Sequence, residues 1–339
     1  MDVRAFCTQS RVVIVAGKGG VGKTTMVAAL AHLAAGAGLS VLVVELEGRK
    51  GVATAFGREE GLDYAGQVLH AAGAILDEED AGGEQVAIPR GTVHARTITP
   101  DDALLEYLAD HGMRRISRRL LSSGILDIVA GAIPGIRDIL VLGKVKQIER
   151  SEMADLVLVD APATGHTMTF LSSAGGLLDA ARGGPIRAQA ADVVALLSDP
   201  ARCQLALVTL PEEMPVNEVV EAAYALEDKV GIALGPVIVN ACYPPLAGLR
   251  VPAPAAAERA GVGLDHSLLG ALEEARAFRV RRQELQEEQL GRLADELPLA
   301  QLRAPFLFTD TIGPVELDQL SRALAEGIGA LPAPADVPA

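Results

Sequence analysis

The sequence predicts an α/β protein built on a doubly wound, mostly parallel sheet, with a helical subdomain inserted into it. Three features carry that prediction. Residues 12–16 form a β-branched run bounded by glycine, the pattern of a strand buried on both faces. A glycine-rich turn follows and leads into an alanine-rich stretch, residues 25–37, that suits a helix. Two further apolar runs, 41–44 and 156–159, each end on a carboxylate, Glu45 and Asp160, so strand and helix patterns alternate as β-α-β units require.

Composition narrows the class. The chain has 339 residues, half of them hydrophobic and 22% charged, which excludes a disordered chain and allows a large core. Aromatics make up only 3% and tryptophan is absent, so Ala, Val, Leu and Ile must do the packing. A formal charge of −14 argues against a broad nucleic-acid or anionic-membrane surface. Cys7, Cys203 and Cys242 are few and far apart, which fits a reducing compartment and excludes a CxxC site. The first strand follows the N-terminus too closely for a leader's apolar core, and no run approaches 18 apolar residues. A cytoplasmic protein without membrane insertion is expected.

The turn after the first strand reads Gly17-Lys18-Gly19-Gly20-Val21-Gly22-Lys23-Thr24-Thr25. It satisfies G-x-x-x-x-G-K-[ST], the phosphate loop. Glycines let backbone N–H groups converge on phosphate oxygens, and the helix N-terminus adds its positive end. Lys23 is placed to reach the β/γ-phosphates and Thr24 to ligate Mg²⁺. The same letters also satisfy G-x-G-x-x-G through Gly17, Gly19 and Gly22, with Glu45 near the place of a ribose-binding acid, so an NAD-dependent oxidoreductase is the rival. Lys23 and Thr24 separate the two, because a pyrophosphate turn needs neither. Asp160, at the end of its apolar run, is positioned to organise Mg²⁺ and its waters.

With Lys18, the loop resembles the deviant Walker A signature of dimeric ATPases. These include nitrogenase iron protein, partition and division-site positioning ATPases, and arsenite-pump and tail-anchored-protein-targeting ATPases. After Asp160 the chain continues Ala161-Pro162-Ala163-Thr164-Gly165-His166-Thr167, similar to the D-T-A-P-T-G-H-T switch segment of the arsenite-pump and tail-anchored-protein-targeting group. Ile133-Pro134-Gly135-Ile136, the strand ending at Asn240, the run Arg281-Arg282-Gln283, then Pro305-Phe306 and Gly313, extend the resemblance from about residue 12 to about 320.

The resemblance implies an ATP-hydrolysing, Mg²⁺-dependent dimeric switch coupled to a partner or client. Lys18 would reach the nucleotide of the opposing subunit, Gly165 would donate to the γ-phosphate, and Asn240 would read adenine. Plain alternatives stand beside two of these: a solvated loop lysine for Lys18, and a strand-end turn for Asn240.

Departures from the family pattern are as informative. Where the group carries S-T-D-P-A-H, this chain has Glu45-Leu46-Glu47-Gly48-Arg49-Lys50, which puts Glu47 at the place of the water-activating acid. Glutamate keeps the carboxylate but reaches one methylene further. That pattern, with Gly183-Gly184-Pro185 and Ala188-Gln189-Ala190, resembles a mainly actinobacterial branch that occurs as two different paired ATPases. A homodimer or a heterodimer with a paralogous ATPase is therefore expected. A hydrolysis-poor, nucleotide-gated scaffold is the other reading. No thiol cluster suits As(III), and the six histidines show no ligand spacing, so arsenite and metals beyond Mg²⁺ are disfavoured.

One domain is expected over residues 1–330, with the helical subdomain at about 99–151 and a disordered Pro/Ala-rich tail at 331–339. Thr99-Pro100-Asp101-Asp102 reads as a helix start. Arg114 with Arg118, and Arg115 with Arg119, would share a helix face, either solvated or a partner site. Residues 120–142 are apolar and read as a buried helical layer or a groove for a membrane-protein client. Asp77-Glu78-Glu79-Asp80 reads as a solvated loop. A charged helix from about Asp265, carrying Phe278 and residues 285–297, is expected to pack on the sheet.

Overall fold

The computed structural model describes residues 1–46, 51–71, 88–110 and 135–332. Glu47, the acidic stretch at 77–80, the four arginines at 114–119, residues 120–134 and the tail from 333 lie outside the described residues.

The strands are β1 (Val12–Gly17), β2 (Val41–Leu46), β3 (Gln67–Ala71), β4 (Thr92–Ile98), β5 (Leu156–Ala163), β6 (Cys203–Thr209), β7 (Ala233–Leu234), β8 (Val237–Cys242) and β9 (Gln301–Pro305). Among the described residues they form one sheet in the order β3-β4-β2-β5-β1-β6-β8-β9, with β7 beside β6. Every pairing is parallel except β3 with β4. The doubly wound, mostly parallel sheet is thus what the chain adopts.

Alternation in the central strands explains why both faces are covered. Val13, Val15, Val41, Val43, Leu156 and Leu158 share one core with α2 (Lys23–Gly36) and the C-terminal helix, Pro314–Gly329. Val12, Ile14, Leu42, Val44, Val157 and Val159 face the other core. That second core is filled from α5 (Ile136–Ser151), α6 (Thr164–Ala180), α7 (Pro185–Leu197) and α8 (Glu213–Val230). Strands buried on both sides can be uniformly apolar, which is why these runs read as they do.

The short helices α1 (Val3–Cys7) and α3 (Gly51–Ala55) flank α2. Helix α4 (Pro100–Asp110) begins as expected: the Thr99 hydroxyl accepts from the Asp102 N–H at 3.2 Å. Helix α4 packs on α5, inside the interval expected to be helical. Beyond β8, α9 (Ala253–Ala260) lies on α10 (His266–Glu296), and the C-terminal helix is α11. The long charged helix α10 departs from expectation. Phe278 is 69% exposed, and only Gln286, Leu290 and Leu293 of the helix are buried. Phe278 does not pack on the sheet: it lies on the side of α10 turned away from the body, while Arg276, Arg279 and Gln286 on the other side bond to the end of β8 and the segment after it, and the helix also meets α8 and α9.

Candidate nucleotide site

At the carboxyl edge of the sheet, β1 runs straight into the loop, Gly17 to Thr25. A Cβ on Gly17 would lie 2.2 Å from the Val208 carbonyl oxygen of β6, so no side chain fits where the loop leaves the strand. Gly20 and Gly22 have φ of +87° and +91°, a region that disfavours any residue with a Cβ. Val21 between them is buried in the α2 core and anchors the turn, while Gly19 and Gly20 are exposed. The loop is pinned at its apolar residue and open at its glycines.

Helix α2 starts at Lys23 with Gly22 as its cap, and no side chain caps it; the first helical bond runs from the Met26 N–H to the Gly22 carbonyl at 3.0 Å. The N–H groups of the first turn therefore have no helical acceptor. Helix α6 starts the same way, from Ala163 and without a side-chain cap, on the neighbouring strand. Gly17 and Ala163 are register partners, so the two helix N-termini open on one sheet edge. Thr167, buried in the first turn of α6, donates its hydroxyl to the Pro162 carbonyl at 2.7 Å and holds the turn shut, leaving Gly165 exposed.

Around the loop the polar side chains converge. The Thr24 hydroxyl donates to the Asp160 carboxylate at 2.6 Å. Lys23 is buried and its ammonium donates to the Lys18 carbonyl at 3.1 Å, curling over the loop. Asp160 is not the last residue of its strand, as β5 continues to Ala163. It is buried, and Glu45, fully buried on β2, is its register partner. Partners in a parallel ladder project on one face, so both carboxylates stand on the α2 side, where Asp160 meets Thr24. A hydroxyl with two carboxylates is a hard-oxygen set that fits Mg²⁺. Glu45 therefore sits inside the strand, not at the open edge where a ribose-binding acid belongs.

Two expected residues have partners within the chain. Lys18 forms an ion pair with Glu218 of α8. Asn240 donates from its amide to the Val21 carbonyl at 2.9 Å and accepts from the Ala241 N–H at 2.8 Å, where Ala241 has a φ of +58°. The amide fills the space over Gly22, where a Cβ would come within 2.3 Å of Asn240 Nδ2. Asn240 thus lies inside β8, at the irregularity in its pairing with β9 between Val239 and Cys242, and fastens the strand to the loop, so the strand-end turn expected for it is not what forms. Thr25 stands half-buried in the first turn of α2.

Three features escaped sequence reasoning. Gly51 opens α3 against Thr24, whose Cγ2 would lie 2.6 Å from a Cβ there. Glu218 holds Lys18. Beyond Asn240, Tyr243 stacks on Phe306 at 4.8 Å, Phe306 meets Phe308 edge-on at 4.9 Å, and the Arg279 guanidinium lies 4.1 Å over the Tyr243 ring. Pairing so much of a sparse aromatic complement in two loops, after β8 and after β9, was the available clue.

The family model described as anion-transporting ATPase matches residues 10–178, from just before β1 nearly to the end of α6. The chain belongs to the anion-transporting ATPase family. It is 37% identical over 248 residues to ATPase BagA of Mycobacterium tuberculosis, covering 69% of this chain and 66% of that relative. It is 29% identical over 165 residues to ATPase get3 of Schizosaccharomyces japonicus, covering 49% of this chain and 44% of that protein. The chain thus spans just under two thirds of the first relative's length and less than half of the second's. Membership in a family of ATPases favours the phosphate-loop reading over the dinucleotide turn. Among the described residues, no helix is long and apolar enough to cross a membrane, and no group of three or more His, Cys, Asp or Glu could hold a metal ion.

Proposed function

We propose that this protein binds ATP with Mg²⁺ at the carboxyl edge of the sheet and hydrolyses it, using the nucleotide state to control association with a partner. The observation that carries the reading is the joining of two uncapped helix N-termini at one edge with Lys23, Thr24 and Asp160 between them. Backbone N–H groups of Gly19 to Thr25 would receive the phosphates, and the Lys23 ammonium would leave the Lys18 carbonyl for the β/γ oxygens. Thr24 and Asp160 would hold Mg²⁺, with Glu45 behind them. Bound there, the metal would neutralise charge developing on the phosphoryl oxygens. The chain's own task is positioning: N–H groups fixed in advance cost no reorganisation when the phosphoryl group transfers. Gly165 would donate to the γ-phosphate and Glu47 would orient the attacking water.

Asn240 would offer its amide to adenine, beside the Tyr243–Phe306 stack. Lys18 would exchange Glu218 for the nucleotide of an opposing subunit, either a second copy or a paralogous ATPase. The departure at Glu47 keeps a second reading in place, a hydrolysis-poor scaffold whose binding alone gates assembly. A protein or membrane-protein client and a cytoplasmic location complete the proposal, together with a single domain over residues 1–330 that carries its helical subdomain at about 99–151.

Phosphate release from ATP by the purified full chain, with and without Mg²⁺, tests the reading alongside titration calorimetry with Mg-ATP and NADH. Mg²⁺-dependent release and saturable ATP binding are expected. Binding without release would leave the scaffold, and preferential NADH binding would refute the nucleotide-triphosphate site altogether.

A further inference from the structure

The outward face of α10 has no role in the nucleotide site and points to a contact of its own. One side of the helix is fastened to the body: Arg276 donates to the Leu249 carbonyl at 2.9 Å, Arg279 to Pro244 at 2.8 Å, and Gln286 to Ala241 at 3.0 Å. The opposite side carries Ala271, Glu274, Phe278, Arg281 and Leu285, all exposed and spaced by alternating steps of three and four. That spacing is the seam of a helix pair. Phe278 at its centre is 69% exposed and Leu285 37%. Arg281 is 72% exposed at its side chain and reaches Glu284 only at 3.9 Å.

We propose that two copies of this chain pair their α10 helices antiparallel along this seam, with the two-fold axis at Phe278. The order of residues about that position selects a second copy and fixes the register. Reversing the seam through Phe278 sets Glu274 beside Arg281 of the other copy and Ala271 opposite Leu285, so each charge meets its opposite, the large Leu285 meets a small residue, and the two Phe278 rings meet on the axis. Shifting the axis to lie between Phe278 and Arg281 would place Glu274 against Leu285 and lose both matches. An isologous contact uses every such pair twice, which is why self-complementarity about one residue specifies a homotypic partner. The contact spans about four turns, roughly 21 Å at ~1.5 Å per residue, and is correspondingly weak by itself.

The test uses the nucleotide-free full chain, so that assembly across the phosphate loop does not contribute. Phe278→Cys under mild oxidation should give a disulfide-linked dimer, since the axis brings the two positions together. Leu268→Cys, at a residue 45% exposed on the same helix, should not, because an antiparallel pair would separate its two copies by roughly 30 Å. Native thiols interfere little: burial pushes Cys7 up to about 12 and Cys242 up to about 11. Sedimentation should show Glu274→Arg weakening association about tenfold or more, with Glu274→Arg combined with Arg281→Glu restoring it. Equal crosslinking at both cysteine positions, none at either, or no rescue by the charge swap would overturn the proposal.

Discussion

The two edges of the sheet are built on opposite rules. At the amino edge, polar groups close on one another: Asp155, before β5, accepts from the Ser40 N–H and hydroxyl, each at 2.9 Å, while the Asp155 N–H returns to the Ser40 oxygen. Nearby Arg202 makes a two-pronged ion pair with Glu149 at 3.0 and 2.6 Å. At the carboxyl edge the chain does the reverse. Helices begin without caps, glycines sit at positive φ, and two carboxylates are buried side by side. The first edge is finished by folding; the second leaves the N–H donors of two helix N-termini open to a ligand. In a fold of this type, function gathers where local rules are broken.

The sharpest way to break the comparison is to remove a cation from the unfinished edge. Lys23→Ala should abolish phosphate release, with a loss of about 10²–10³ or more, the range seen when a preorganised charge donor is deleted. Near-normal turnover would show that the edge is not the reaction centre.

Next comes the point where the edge meets the core. Gly17→Ala should destabilise the fold by about 3 kcal/mol or more, since the added methyl would stand 2.2 Å from the Val208 carbonyl and must push β6 away from β1. Urea unfolding measures this directly. A small change would mean that the β1–β6 contact yields easily, and that this glycine is chosen for the loop's shape, not for packing.

How far each edge could be read in advance follows from the same contrast. Gly17 to Thr25, Asp160 and the strands around them were readable because one residue type at one spacing has one physical use there. Glu45 was visible as a residue but misplaced, since its role depends on β5 lying between β1 and β2, a pairing no local pattern encodes. Glu218 and Arg279 were unreadable for the same reason: each reaches its partner from a distant helix. Phe278 misled because an aromatic in a helix suggests core, whereas it stands on the side of α10 turned away from the body. The closed amino edge gave no signal either, as Ser40 and Asp155 are 115 residues apart and become partners only across adjacent strands.

The smallest expected effect sharpens the contrast from the finished side. Burial pushes the Asp155 carboxyl up, but the bonds from the Ser40 N–H and hydroxyl outweigh it and hold the group below the usual carboxylate range. A carboxyl depressed in the folded state contributes stability that is complete above its unfolded value, about pH 3.9, and is lost as pH falls through the lower folded value. Ser40→Ala removes the hydroxyl and keeps the N–H, so it should cost about 1 kcal/mol at pH 7. The gap from the unaltered chain should narrow once Asp155 is protonated, and ATP affinity should stay unchanged throughout. Urea unfolding at pH 7 and pH 3, with calorimetry at pH 7, reads all three. A loss of ATP affinity in this variant would mean that the edges are coupled through β2 and β5, and the division of labour drawn here would fail.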